Sequence, residues 1–324
     1  MQQFTTLNVE TPMPQLSILI TGGSGLLGGA LTRALLNSGH EVVWLTRGLN
    51  KGQKDAFGAN VKQIPWDPIG NSPLNPEHLL GHQAIVHLAG ANVGQRWTRK
   101  VKDDILASRI SSTRTLMAAL ADMRPEERPE AFIAGSAVGW YGSGDAPQDE
   151  TAPHGDGFLA DVVVKWENEA AQAVALGLRT AWVRTGLVLS AQGGMLGRLL
   201  PIYKLGLGSP IGNGQQWQSW IHIDDWVKSI MHLIDCPSAQ GIYNAVAPTG
   251  AAVRQAELSR VLAQTLGKPH VLPNVPQWAL QCVFGEMSQT ILSSQHIVPS
   301  ALEGDGFEWD HPSLASALGD LLPS

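Results

Sequence analysis

The distribution of apolar residues along the chain indicates alternating strands and helices. Residues 17–20 form a short apolar run that stops at a cluster of glycines. Leucines then recur at helical spacing through positions 26–36, and Gly39 follows where a helix stop is expected. This order predicts a strand, a tight turn and a helix.

The same alternation continues through the first part of the chain. Further apolar runs predict strands at 40–47, 61–66, 84–90, 131–136 and 180–189. Apolar stripes at helical spacing predict helices at 99–120, before Pro125, and at 158–176, before Gly177. Strands and helices that alternate in this way are typical of an α/β protein with a doubly wound, parallel, Rossmann-type sheet.

After Ser190, glycine-rich loops replace this regular alternation. A short strand at 220–223 is expected to end at Asp224 and Asp225, before a helix at 226–234 and a strand at 242–246. Two or three further helices are predicted, of which 253–266 has the clearest pattern. The sheet is therefore expected to be followed by a small region of mixed structure.

The glycines after the first strand indicate a phosphate-binding loop. Gly23, Gly25 and Gly28 have the G-x-G-x-x-G spacing between a predicted strand and a predicted helix. The backbone there must turn sharply and approach an anion closely, and the helix start offers N–H groups to a pyrophosphate. The predicted contacts with a dinucleotide are Thr21, Gly22, Gly23, Ser24, Gly25, Leu26, Leu27 and Gly28.

The end of the second strand favours NADP(H) over NAD as the cofactor. A ribose with a free 2′-hydroxyl usually meets Asp or Glu at this point, whereas this chain has Thr46 followed by Arg47. A guanidinium at this position suits a 2′-phosphate. Lys51 and Lys54 either assist Arg47 or are simply exposed.

Composition excludes several classes of protein. The formal net charge of −6 over 324 residues gives no reason to expect nucleic acid or an anionic membrane as a partner. No apolar run is long enough to predict a membrane span, and residues 1–15 lack the features of a signal peptide. Cys236 and Cys282 do not indicate a disulfide framework or a metal site. We expect a soluble, cytoplasmic protein.

Several motifs, in order, resemble the extended short-chain dehydrogenase/reductase superfamily. Thr21-Gly22-x-x-Gly25-x-x-Gly28 matches its cofactor loop, and His87-Leu88-Ala89-Gly90 is similar to its fourth-strand motif. Within the superfamily, the chain resembles the branch called epimerase family proteins, whose bacterial members are sometimes labelled nucleoside-diphosphate-sugar epimerases. The blocks that carry this resemblance are 135–142, 165–167, 184–189, 205–214, 220–225, 243–248 and 306–307. The similarity covers nearly the whole chain.

The resemblance implies an NADP-binding α/β domain and a small C-terminal region that forms one wall of a substrate cleft. It also implies that Leu88, Ala89 and Gly90 lie along the cofactor. The expected parts are a mobile tail at 1–15, an NADP-binding domain at 16–190 to which 219–247 returns, and a substrate-cleft region at 191–218 and 248–324.

The chain departs from active members of the superfamily at two positions. Active members place a Tyr four residues before a Lys, so that the phenol moves a proton while the Lys lowers its pKa and holds the nicotinamide ribose. Lys165 lies on the expected helix and is expected to keep the ribose role, but Asp161 replaces the Tyr. Ala137 stands where a Ser or Thr is common. Ser136 precedes it and remains a catalytic candidate that reaches the substrate, although it is one position out of register on a strand.

Three side chains are candidates for moving the proton in place of the missing Tyr. Asp161 can act as a base if burial raises its pKa, although the nearby Lys165 lowers it. Tyr141 offers a phenol from a loop, and His222 has a suitable pKa. A structural role is the commoner explanation for each of them.

Two further features leave alternatives open. Arg184, at the end of the sixth predicted strand, either holds a phosphate of the cofactor or braces a carboxylate. The loop at 206–214, followed by Gln215, Gln216 and Trp217, either borders a cleft for a sugar or another flat polar ligand, or merely joins the two regions.

The leading hypothesis is an NADP-dependent oxidoreductase or epimerase that acts on a small polar hydroxy or keto compound, with nucleotide-linked sugars among the candidates. The alternative is an NADPH-binding module with little or no catalysis, because Asp161 and Ala137 both depart from the active pattern. Relatives often pair through two long helices, so the resemblance also allows a homodimer.

Overall fold

A seven-stranded parallel sheet lies at the centre of the computed structural model, which describes residues 15–48, 61–69 and 72–322. The strands in these ranges are β1 (Ser17–Thr21), β2 (Glu41–Thr46), β3 (Val61–Pro65), β4 (Ala84–His87), β5 (Ala131–Ala137), β6 (Arg179–Thr185), β7 (Leu187–Leu189), β8 (Trp217–Gln218), β9 (Trp220–His222), β10 (Gly241–Ala245) and β11 (Val253–Arg254). The order in the sheet is β10-β6-β5-β4-β1-β2-β3. The predicted doubly wound parallel sheet is confirmed.

The helices cover both faces of the sheet and build the C-terminal region. They are α1 (Leu26–Asn37), α2 (Arg99–Ala121), α3 (Phe158–Ala170), α4 (Gln172–Ala175), α5 (Gly194–Lys204), α6 (Ile223–Asp235), α7 (Gln255–Thr265), α8 (Gln277–Phe284), α9 (Ser288–Leu292), α10 (Ser300–Gly304) and α11 (Leu314–Leu321). Short 3₁₀ turns lie at Pro76–Leu79, Pro125–Glu127, Val138–Trp140 and Gly285–Met287. None of the described helices has both the length and the apolar character needed to cross a bilayer.

The sheet is apolar on both faces because helices cover both. In β1, Ile18 and Ile20 pack on the side of α1 and α6, while Leu19 points to the side of α2. Successive side chains on a strand alternate between faces, so an uninterrupted apolar run is needed when both faces are buried. A third apolar cluster joins α5, α7 and α11 in the C-terminal region.

The sixth strand is shorter than the prediction of 180–189. It ends at Thr185, and after Gly186 the chain forms β7, which pairs with β9 outside the central sheet. A Cβ on Gly186 would lie 2.5 Å from the carbonyl oxygen of Ser219. Glycine therefore allows the chain to leave the sheet and pass directly against β9.

Three helix boundaries also differ from the predictions. The helix expected at 158–176 is interrupted at Ala171, which separates α3 from α4. The helix α6 begins earlier than expected, because Nδ1 of His222 accepts the backbone N–H of Asp224 and caps the helix. Asp224 therefore lies in the first helical turn. The helix α7 begins later than expected, because β11 pairs with β8.

Candidate dinucleotide-binding site

The loop between β1 and α1 presents backbone N–H groups at a helix N-terminus. Gly22 has a φ of 73°, in the left-handed region that favours glycine, and its carbonyl accepts the N–H of Gly25 at 3.0 Å. Gly25 is the N-cap of α1 and supplies no side-chain hydrogen bond, and Ser24 and Gly25 are exposed. N–H groups that no capping side chain satisfies are suited to an anionic diphosphate.

The first turn of α1 packs directly against this loop. A Cβ on Gly28 would lie 2.4 Å from the carbonyl oxygen of Gly22, so only glycine allows this approach. The side chain of Leu27 packs on the core beneath the sheet, and that of Leu26 lies beside Gly193. Leu27 therefore anchors the turn against the core, while the backbone of the loop at Ser24 and Gly25 stays exposed.

The side chain of Thr21 hydrogen-bonds the segment after β4 and holds it beside the glycine loop. Its fully buried Oγ1 accepts the N–H groups of Leu88 and Ala89, each at 3.1 Å, and lies 2.7 Å from Nδ1 of His87. Burial lowers the pKa of His87 to about 3, so the imidazole is neutral. The side chain of Thr21 thus positions the Leu88–Gly90 segment and has no surface of its own for a cofactor.

Arg47 lies at the same edge of the sheet as the glycine loop. The parallel pairing of Thr21 with Leu45 places the two residues after Leu45 beside Gly22 and Gly23. The side chain of Arg47 is exposed, and no residue within the described ranges forms an ion pair or hydrogen bond with it. Lys51 and Lys54, for which both assistance to Arg47 and simple exposure were left open, lie outside the described residues.

Lys165 and Asp161 do not join the other predicted catalytic residues. Both are exposed on α3. The face of α3 toward the segment after β5 carries Leu159 and Val163, which lie beside Gly139. Lys165 is two positions from Val163, about 200° around the helix. Lys165 therefore lies on a different side of α3 from Val163, and the ribose role expected of it stays a prediction.

Arg184 is buried in an ion pair with a carboxylate. Its Nε and Nη2 each donate to the carboxylate of Glu167 at 2.9 Å, and the side chain of Arg184 has no exposed surface. The guanidinium also stacks on Trp140 at 3.8 Å. Of the two roles left open for Arg184, the geometry is that of an arginine that braces a carboxylate, and no part of it faces a phosphate site.

Ser136 and Tyr141 belong to the same buried network. Ser136 donates to Glu167 at 2.5 Å. The hydroxyl of Tyr141 accepts a hydrogen bond from Arg184 at 3.0 Å and donates to Asn244 at 2.7 Å. Burial raises the pKa of Tyr141, so the phenol keeps its proton at neutral pH. The network joins β5, α3, β6 and β10 and engages both hydroxyls within the protein, so a catalytic role for Ser136 or Tyr141 stays a prediction.

His222 is likewise committed to the fold. Its side chain is fully buried, Nδ1 accepts the N–H of Asp224, and Nε2 lies 3.3 Å from a carboxylate oxygen of Asp320. The ring of His311 lies 3.8 Å away, and burial together with that neighbour lowers the pKa of His222. A neutral imidazole without access to solvent does not exchange protons with a substrate.

The glycine-rich segment after α5 connects parts of the C-terminal region. Gln216 is buried, and its side chain donates to the carbonyl of Ile211 at 3.1 Å. The ring of Trp217 contacts His296 at 4.2 Å and the guanidinium of Arg254 at 4.0 Å. His296 and Arg254 already contact the indole of Trp217. The segment therefore fits the role of joining the two regions better than that of a binding surface for a sugar.

Arg109 is a candidate site residue that the sequence did not single out. It lies on α2, and its guanidinium is next to Gly90, just beyond the carboxyl end of β4. One arginine among several on an amphipathic helix gives no periodic signal. The packing of α2 against the end of β4, where the hydroxyl of Thr113 lies 3.0 Å from Nε2 of His87, brings Arg109 to Gly90, and sequence spacing does not show this packing.

The fold and this edge of the sheet define an α/β protein of the dinucleotide-binding class. Residues 18–245 match the NAD dependent epimerase/dehydratase family, and residues 275–321 match a domain of unknown function, DUF1731. The chain belongs to the NAD dependent epimerase/dehydratase family, within the extended short-chain dehydrogenases/reductases.

Relatives from distant organisms match along nearly their whole lengths. Epimerase family protein SDR39U1 from Bos taurus is 36% identical over 94% of this chain and 99% of its own. Epimerase family protein Mb2239 from Mycobacterium bovis is 36% identical over 93% of this chain and 96% of its own. The crystal structure of human epimerase family protein SDR39U1 (isoform 2) with NADPH is 31% identical, with a TM-score of 0.81, and covers 95% of this chain and 99% of its own.

Proposed function

We propose that this protein binds NADP(H) at the β1–α1 loop and transfers hydride between the cofactor and a small polar hydroxy or keto compound. The observation that carries the proposal is the position of Arg47 beside the glycine loop, where both follow the carboxyl ends of the adjacent strands β1 and β2. The loop supplies N–H groups for the pyrophosphate, and the guanidinium of Arg47 supplies the counter-charge for the 2′-phosphate.

The relationship to human SDR39U1, which was solved with NADPH, supports the same choice of cofactor. Membership of an epimerase/dehydratase family supports a reaction rather than binding alone. Nucleotide-linked sugars are therefore substrates to test first, together with simple aldehydes and keto acids.

The test of the cofactor is a pair of matched arginine variants. Arg47→Ala is expected to weaken NADPH binding by about 10- to 150-fold, since a charge-assisted hydrogen bond contributes about 1.5–3 kcal/mol. NADH affinity is expected to stay unchanged. Arg260→Ala, an exposed arginine on α7, serves as the control. Equal losses for NADPH and NADH in Arg47→Ala, measured by calorimetry, would contradict the assignment.

The test of the reaction is hydride exchange. Protein saturated with NADPH deuterated at the nicotinamide C4 is incubated with the panel of carbonyl compounds and nucleotide sugars. Transfer of deuterium to a substrate carbon, detected by mass spectrometry, is the expected result. Tight NADPH binding with no transfer across the panel would instead support the binding-only alternative.

A further inference from the structure

The guanidinium of Arg109 is held beside the carboxyl end of β4. Its Nη1 donates to the carbonyl oxygens of Ala91 at 3.2 Å and Ile105 at 3.0 Å. A Cβ on Gly90 would lie 3.0 Å from Cζ and 3.2 Å from Nη2. The cation therefore touches the segment that follows β4, where ligands bind in doubly wound sheets.

The charge of Arg109 has no counter-charge within the described part of the chain. No carboxylate there lies within ion-pair distance of it, in contrast to Arg114 on the same helix, which pairs with Glu169. Burial alone lowers the pKa of Arg109 to about 10, so the side chain stays charged at neutral pH. A cation that is partly withdrawn from water and unpaired is costly unless a ligand supplies the anion.

The remaining donors of Arg109 are open to a ligand. Only Nη1 makes hydrogen bonds to the described protein, and neither Nε nor Nη2 is among the buried nitrogen atoms that lack a partner. Those two groups therefore have access to solvent. The centre of the Trp166 indole lies 5.1 Å from Cζ of Arg109. Together with the two carbonyl contacts, it fixes the orientation of the planar guanidinium.

Arg109 lies on the side of the glycine loop where the nicotinamide end of a dinucleotide is expected. If Arg47 holds the 2′-phosphate, the adenosine half of a bound dinucleotide would lie near β2, on one side of the glycine loop. The nicotinamide half would then extend toward β4 and β5, which lie on the other side of β1 in the sheet. Arg109 lies beside Gly90 at the end of β4, and Trp166 lies against Gly135 on β5. The guanidinium of Arg109 is thus on the side of the sheet where a substrate would meet the nicotinamide.

We propose that Arg109 binds an anionic oxygen group of the substrate, a carboxylate or a phosphate, next to the nicotinamide. This proposal rests on the proposed function and narrows its substrate class to compounds that carry such a group close to the hydroxyl or keto carbon. Nε and Nη2 of Arg109 can donate to two oxygens of one group side by side, which orients the substrate as well as binding it.

The experiment uses two simple anions as probes, oxalate for a carboxylate and inorganic phosphate for a phosphate. Each is titrated into the full-length protein with and without saturating NADPH, and binding is followed by calorimetry. Arg109→Met is expected to weaken binding of the preferred anion at least about tenfold, and Arg109→Lys to weaken it less. Arg114→Met applies the same substitution to the same helix and is expected to bind the anion as the wild type does.

The outcomes separate this proposal from the one on which it rests. NADPH affinity is measured first, without anions, and is expected to be the same in wild type, Arg109→Met and Arg109→Lys. Loss of NADPH affinity in Arg109→Met with anion binding unchanged would overturn the proposal and assign Arg109 to the cofactor. Anion binding that is absent from the wild type, or equal in wild type and Arg109→Met, would also overturn it. Failure of the wild type to bind NADPH would count against the proposed function alone, because the anion titration without cofactor still reports on Arg109.

Discussion

Replacement of Glu167 by Gln leaves the fully buried guanidinium of Arg184 without a counter-charge. In the native protein, two parallel hydrogen bonds of 2.9 Å join the two side chains, and Ser136 adds a third contact to the same carboxylate. The variant keeps the size of the side chain but loses its charge. Arg184 cannot turn toward water, since its side chain has no exposed surface and is stacked on Trp140.

Removal of one partner from a buried ion pair costs about 3–5 kcal/mol. If the 324 residues unfold as one cooperative unit, the entropy of unfolding is about 0.7 kcal/mol/K, so Tm is expected to fall by about 4–7 °C. Arg184→Met is expected to cost a similar amount, because it leaves the Glu167 carboxylate nine-tenths buried without its cation. In the double variant Glu167→Gln/Arg184→Met no charge is stranded, so it is expected to be more stable than either single variant.

The assay is calorimetric and denaturant unfolding of the wild type, the two single variants and the double variant. Arg114→Met, which breaks a surface pair with Glu169, is the control and is expected to change stability by less than about 1 kcal/mol. The reasoning fails if the double variant costs as much as the two single variants added together, because the pair would then carry no coupling energy.

Three further results are expected. Gly28→Ala forces a Cβ against the Gly22 carbonyl and should weaken NADPH binding at least about tenfold, whereas Gly144→Ala, with open space around it, should not. Lys165→Ala should change NADPH affinity by less than about twofold, because the side chain is exposed on the far side of α3, and a tenfold loss by calorimetry would show that it reaches the ribose. His87, with its pKa lowered from 6.5 to about 3, binds its extra proton only when the chain unfolds, so stability is lost as pH falls from about 6.5 toward about 3. Urea unfolding at about pH 7 and about pH 4 should show that His87→Gln removes about 3 kcal/mol of this acid sensitivity, and equal pH dependence in variant and wild type would refute it.

The sheet and the cofactor loop were predictable because their signals are local. The apolar run of β1, the glycines and the leucines of α1 are contiguous, and each rests on short-range backbone geometry and periodicity. The parallel order then follows from the alternation of strands with helices. The break at Gly186 was missed because it depends on the close approach of Ser219, which is distant in sequence.

The functional assignments within the sheet were harder because they depend on which side chains meet in space. Glu167 and Arg184 come from a helix and a strand, and no spacing rule connects them. The positions of Lys165 and Arg109 depend on how α3 and α2 are rotated against the sheet. A motif can name the helix that carries a lysine, but packing decides whether that lysine faces a ligand.

The most direct measurement is the affinity of the purified wild-type protein for NADPH and for NADH, determined by calorimetry under the same conditions. A glycine loop that holds a diphosphate, with Arg47 beside it, predicts micromolar binding of NADPH and binding of NADH that is at least about tenfold weaker. Binding of neither nucleotide at millimolar concentration, or a preference for NADH, would contradict it.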